Sequence, residues 1–169
     1  MKFLFIVQGE GRGHFTQAIT LEDMLLRNGH EVVEVLVGKS SSRTLPGFFI
    51  RSIQAPVKRF TSPNFLPTTE NKRANLKKSF VYNLIRTPEY FRSMCYIDQR
   101  IKETGAEVVI NFYELLTGLT YALFRPSVPY VCVGHQYLFL HKNFEFPRKS
   151  MIQLSILRFF TRLTSLRAN

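Results

Sequence analysis

The sequence predicts an α/β fold built on a mainly parallel sheet, and three observations predict it. Apolar or β-branched runs alternate with helical periodicities along the chain, the pattern of parallel strands joined by crossover helices. Lys2 to Gln8 (KFLFIVQ) reads as a buried strand that runs straight into Gly9-Glu10-Gly11-Arg12-Gly13-His14, and Phe15 to Asn28 then reads as a helix. A strand ending in a glycine-rich turn that opens a helix is how such folds build a ligand crevice. Finally, 169 residues correspond to one domain with room for a sizeable core.

The remaining elements follow in order. Ala18, Leu21 and Leu25 mark the apolar face of the first helix, and Gly29 is suited to stop it. Glu31 to Val37 (EVVEVLV) is rich in β-branched residues and reads as strand two. A Ser/Lys/Gly turn leads to a third strand over Phe48 to Ile53. Residues 54–71, with Pro56, Pro63 and Pro67 among Ser, Thr and Asn, read as a long loop, a kind of segment that often carries function. Asn75 to Arg86 and Glu89 to Lys102 read as helices separated by Pro88, with Gly105 ending the second. Glu107 to Asn111 (EVVIN) is a strand, Leu115 to Phe124 a helix, and Val128 to Val133 (VPYVCV) a further strand ending at Gly134-His135-Gln136. From Arg148 onward, Ile152, Ile156, Phe159, Leu163 and Leu166 recur at helical spacing with basic residues interleaved. The expected division is a Rossmann-like domain over 1–147 and a basic amphipathic helix over 148–169. No sixth strand follows that helix, which leads to the expectation of a first half with a second domain in cis or in trans.

Composition narrows the classes. Hydrophobic residues make up 45% of the chain, too many for a disordered segment. Cys95 and Cys132 are too few for a disulfide framework and suit free thiols in a cytoplasmic protein. The N-terminal apolar run lacks a cleavage site, and no stretch has the length of a membrane span. No His/Cys/Asp/Glu set has metal-ligand spacing, and no Ser or Cys sits in a nucleophile motif. The net charge of +11 is confined to two segments, residues 57–92 at +6 and 142–169 at +5. Charge so localised suggests a surface directed at a membrane or a polyanion. Phe60, Phe65, Phe80, Tyr82, Tyr90 and Phe91 lie among the cations of the first segment, which fits a membrane interface or a nucleic-acid groove.

The glycine turn departs from the dinucleotide fingerprint. That pattern needs G-x-G-x-x-G and an acid after strand two, whereas this chain has G-x-G-x-G-H and ends strand two in Val37-Gly38-Lys39. Lys39 or Arg43 could meet a 2′-phosphate, which keeps an NADP-binding domain as an alternative. His14 stands at the mouth of the helix, where the dipole disfavours imidazolium, and a neutral imidazole suits a base poised near neutral pH.

The run GEGRGHFTQAITLEDMLLRNGHEV resembles the N-terminal half of GT-B glycosyltransferases, in particular the MurG-like and UDP-glycosyltransferase branches, whose first loop is glycine-rich and ends in Gly-His. Arg27-Asn-Gly29-His30-Glu-Val32, VVINFYELLTG and VPYVCVGHQ are also similar to that family. The resemblance implies two Rossmann-like domains with the active site between them, this chain supplying the acceptor domain. A nucleotide-sugar, UDP-linked in these branches, would be a substrate rather than a cofactor, and no metal is required. The resemblance makes His14 the base for an acceptor hydroxyl. In the plant-type branch a carboxylate ends the fourth strand; Asn111 stands there in this chain, with Glu114 and Glu10 as nearby acids. Gly11, Arg12 and Gly13 would meet phosphate or sugar oxygens, and His135 and Gln136 the ligand. The MurG-like branch further implies a lipid-linked or cell-envelope acceptor and a place on the inner face of the membrane. A non-catalytic, membrane-recruiting subunit of a split glycosyltransferase is the other reading.

Overall fold

A computed structural model gives the architecture, describing residues 1–39, 44–63, 83–144 and 151–168, with backbone alone for 151–153. Five strands, β1 (Lys2–Gln8), β2 (Glu31–Lys39), β3 (Val57–Thr61), β4 (Val108–Phe112) and β5 (Tyr130–Cys132), form one sheet in the order β3-β2-β1-β4-β5. Every pairing in it is parallel. The helices are α1 (Arg12–Arg27), α2 (Gly47–Ser52), α3 (Thr87–Glu103), α4 (Leu115–Phe124) and α5 (Met151–Thr164), and a 3-10 helix spans His135–Leu140. The expected Rossmann-like parallel sheet flanked by helices is therefore the fold.

The period-two alternation of β1 divides the core in two. Phe3, Phe5 and Val7 point to one face with Phe15 and Ala18 of α1 and Phe49 of α2. Leu4 and Ile6 point to the other with Ile97 and Ile101 of α3 and Leu116 and Tyr121 of α4. Sandwiched between helical layers, β1 has five consecutive buried residues, which explains its unbroken apolar sequence.

Two buried acids tie the layers together. Glu22 on α1 accepts hydrogen bonds from the backbone N–H groups of Gln54 and Ala55 at 2.9 and 2.8 Å, fixing the α2–β3 connection. Glu34 on β2 receives Arg100 of α3 in a two-pronged pair at 2.8 and 3.1 Å, and Lys58 of β3 at 2.9 Å. Matched forks of this kind are the stronger class of ion pair.

Two expectations fail. Phe48 to Ile53 forms no strand; Gly47–Ser52 is the helix α2. Pro46 supplies its N-cap, its carbonyl accepting from Phe49 and Ile50, and Phe49 packs on Phe15 at 4.5 Å. A short aromatic run cannot be told from a strand by periodicity. The long loop also contains a strand, β3, paired with β2 from Val35↔Val57 to Lys39↔Thr61. Being an edge strand, it buries only Phe60 and exposes Lys58 and Arg59, so its composition reads as loop; charge at an edge also discourages pairing with another chain. Strand β4 starts one residue later than expected and β5 is shorter at both ends. Helix α3 takes Pro88 into its first turn, where a missing N–H costs nothing. Most of the expected Asn75 to Arg86 helix, half the cations of 57–92 (Lys72, Arg73, Lys77 and Lys78), and Arg148 and Lys149 lie outside the described residues.

Helices α4 and α5 cross at Gly118, where an added Cβ would overlap the carbonyl oxygen of Leu163. Replacing a helix-interior glycine by alanine ordinarily stabilises by about 1 kcal/mol. Gly118→Ala should instead destabilise by ~1–3 kcal/mol, the cost of overpacking. Urea denaturation checks it, and an unchanged or raised midpoint would contradict the close crossing.

Candidate functional site

The strand order reverses about β1. Helix α1 leaves β1 to cover one face and α4 leaves β4 to cover the other. A crevice opens between such strand ends, at their carboxyl edge. Two turns border it: Gly9 to Gly11 after β1, and Tyr113-Glu114 after β4.

His14 is the third residue of α1, and it lies buried at 4% exposure. Its Nε2 is 3.2 Å from Nε2 of Gln136, on the 3-10 helix. Its ring stacks on Tyr113 at 5.8 Å and 15°. Tyr113 holds a left-handed backbone (φ 62), a conformation that costs a side-chain-bearing residue ~1–3 kcal/mol and recurs at functional sites. Its hydroxyl, 2.8 Å from Thr161 Oγ1, and the flanking rings of Tyr137 and Phe160 hold it there.

Burial pulls the His14 pKa below 6.5; the nearby Gln17 carboxamide opposes this and His135 adds to it. The imidazole is therefore neutral at pH 7. The helix that carries it has no side-chain cap and no acid in its first turn, leaving its first N–H groups open to a ligand. Gly9 packs tightly on β2, its N–H donating to Gly38 O at 2.7 Å, where a side chain would collide. Gly11 and Gly13 have room for one.

Asn111 and Glu114 form a second cluster. Asn111 Oδ1 accepts from Glu114 N at 2.9 Å, and its Nδ2 donates to Glu114 O at 3.2 Å and Thr164 O at 2.8 Å. The fully buried Glu114 caps α4: Oε1 accepts from Leu116 N at 3.2 Å and from Ser62 Oγ at 2.5 Å. Desolvation pushes its carboxyl up to about 7, against the Ser62 and Leu116 hydrogen bonds, which favour the ionised form, and Glu10 nearby raises it further.

The predicted residues thus fall into two pairs, His14 with Gln136 and Asn111 with Glu114, and among the described residues no hydrogen bond joins one pair to the other. Gly11 caps α1, exposed Arg12 and Gly13 open its first turn, and exposed His135 begins the 3-10 helix. His30 pairs with the N-terminal amine and His141 is exposed. Lys39 ends β2, while Arg43 lies outside the described residues. Gln17, Ser62 and Tyr113 were missed. Gln17 follows His14 by three residues on one helix, a spacing that signals contact; nothing in the local sequence marks the other two. Among the described residues, no group of three or more His, Cys, Asp or Glu could hold a metal ion, and no helix is long and apolar enough to cross a membrane.

This architecture is that of a Rossmann-like domain. No protein-family model and no curated protein matches the chain. Solved structures do. UGT2 of Phytolacca americana, solved with UDP-2fluoro-glucose and pterostilbene, aligns with a TM-score of 0.54 at 12% identity over 89% of this chain and 36% of its own. MurG of Acinetobacter baumannii aligns with a TM-score of 0.47 at 14% identity over 78% of this chain and 34% of its own. The chain spans about a third of either protein's length, and its fold is GT-B glycosyltransferase-like.

Glu114 makes folding pH-dependent. Its carboxyl keeps a proton up to about 7 in the fold but loses it near 4.5 when unfolded, so folding takes up a proton between those values and stability falls as pH rises through them. Glu114→Gln removes this dependence. In denaturant titrations the variant should gain on the wild type between about pH 4.5 and about pH 7; parallel stability curves would show that Glu114 titrates normally.

Proposed function

We propose that this chain is the acceptor-binding domain of a glycosyltransferase that moves a sugar from a nucleotide-sugar, UDP-linked, to a hydroxyl acceptor. The observation that carries the reading is His14, a buried neutral imidazole at the switch-point crevice and the opening of α1. As the acceptor oxygen attacks the anomeric carbon, its proton passes to His14. The bond from that carbon to the diphosphate oxygen breaks, and the nucleoside diphosphate departs. A base whose pKa is held below 6.5 by burial is free to accept a proton at pH 7. Gly11 and Gly13 leave the backbone open to sugar or phosphate oxygens, with α1 N–H groups behind them.

Gln17, Gln136 and Tyr113 surround the imidazole and take the orienting role expected of Asn111 or Glu114. Asn111 and Glu114 support the site at one remove, holding the β4–α4 turn from which Tyr113 projects. The donor-binding wall belongs to a second domain in cis or in trans, after the division at residues 147 and 148, and this domain alone is expected to be inactive.

Exposed Leu138 and Leu140 on the 3-10 helix, and Ile156 and Phe159 on α5, favour a peripheral place on the inner membrane face and a lipid-linked or envelope-glycan acceptor. The two elements adjoin, Arg158 Nε donating to Phe139 O at 3.1 Å, and Lys142 and Arg162 add charge. The same surface suits a membrane-recruiting subunit of a split enzyme.

In the intact transferase, His14→Ala should lower kcat by ~10²–10⁴, the usual worth of a positioned base. The wild-type rate should fall with acidification through a pKa below 6.5, and turnover undiminished in the variant would leave His14 a packing residue only. Co-sedimentation with anionic vesicles should weaken between ~0.05 and ~0.5 M salt as the Debye length shrinks; absent or salt-independent binding would oppose the membrane assignment.

A further inference from the structure

His14 and Gln136 are 122 positions apart in sequence and 3.2 Å apart in space. The amide nitrogen of glutamine can only donate, so the contact requires a lone pair on His14 Nε2 and places the ring proton on Nδ1. The Gln17 carboxamide lies near the ring and favours its charged form, while His14 Nδ1 and Gln17 Oε1 are both buried without a hydrogen-bond partner among the described residues. This is the tautomer a base needs: one nitrogen protonated, the other carrying the lone pair. Yet that lone pair is already covered.

We propose that Gln136 is a stand-in for the acceptor hydroxyl: its amide N–H occupies the His14 lone pair in the free protein, and acceptor binding displaces it. The inference rests on His14 being the base and names how that base is held before substrate arrives. An amide N–H and a hydroxyl have the same hydrogen-bond polarity, but the amide is far too weak an acid to surrender its proton. Gln136 therefore fixes the tautomer without reacting, as a positioning residue.

The structure fits a contact made to be given up. Gln136 Oε1 is buried with no partner among the described residues, so the amide is only half satisfied, an arrangement expensive to keep. The 3-10 helix that carries it has no buried residue, and short helices of this kind sit at the less stable end of a structure. The helix is nevertheless pinned, at its backbone by Arg158 to Phe139 O and through a side chain by Thr164 Oγ1 to the Tyr137 hydroxyl at 3.1 Å. The motion needed is rotation of one side chain. Around the ring lie His135 on the same 3-10 helix, Tyr113 stacked from the β4 turn, and Gln17 on α1.

Diethyl pyrocarbonate, which needs the same lone pair, tests this on the 169-residue chain, with peptide mass spectrometry reading each histidine. His14 should react at least ~10-fold faster in Gln136→Leu than in wild type, because the lone pair is no longer occupied, while the unburied His30 and His141 react alike in both and calibrate the reagent, and an unchanged near-UV circular dichroism spectrum reports an intact fold. Equal His14 rates would overturn the proposal. As an independent check, Gln136→Glu sets a carboxylate against Nε2 and should raise the His14 pKa above 6.5 in an NMR titration; a value still below 6.5 would also overturn it. Failure of the underlying reading looks different: undiminished turnover in His14→Ala removes the catalytic role and leaves both of these readouts in place.

Discussion

Parallel pairing of β1 with β4, from Phe3↔Val108 to Val7↔Phe112, brings the two turns of the site to one edge of the sheet. One turn carries His14 and the other Tyr113, and they come from segments about a hundred residues apart. A slip of one residue would reverse the faces of β4 and move its buried residues to the wrong side. The register is secured from both faces: Phe5 meets Phe112 at 5.1 Å in one core, and Leu4 and Ile6 share the other with Val109. Crevice chemistry is therefore a consequence of core packing.

Behind the crevice, polar groups link β4, β5, the 3-10 helix and α5. Asn111 holds Thr164 O, Tyr113 meets Thr161, and Thr164 reaches Tyr137. These contacts are buried or nearly so, where an unsatisfied partner is costly, and they place α5 against the strand ends. The close crossing at Gly118 serves the same end, since it brings the last turn of α5 within reach of Asn111. Helix α5 thereby steadies both the turn that presents Tyr113 and the segment that presents Gln136.

The central strands were legible because burial on both faces leaves an unbroken apolar run in β1 and a β-branched run, broken only by Glu34, in β2. The bounds of α4 were also legible, since Glu114 caps its start and Arg125, in a left-handed conformation, ends it. What escaped was decided by tertiary context. β3 buries a single side chain and pairs Lys58 with a carboxylate on another strand, so no local pattern marks it. The FFIRS run became α2 because Pro46 and the Phe15 contact outweigh its β-like composition. At the site, Gly13-His14 was conspicuous through its place between strand and helix. Gln136 was marked by its place after the fifth strand, whereas Tyr113 was not, because strand pairing and a strained backbone bring it to His14. Asn111 illustrates the limit: its position at the end of β4 was legible, but its engagement by the Glu114 backbone and Thr164 was not.

All of this turns on one physical state, a His14 imidazole kept neutral by burial where the chain opens its first helix. The most direct measurement is an NMR pH titration of the His14 ring in this chain, with His30 and His141 as internal references. The account predicts a pKa below 6.5 and a single neutral tautomer at pH 7 with its proton on Nδ1. A pKa at or above 6.5, or rapid exchange between tautomers, would contradict it.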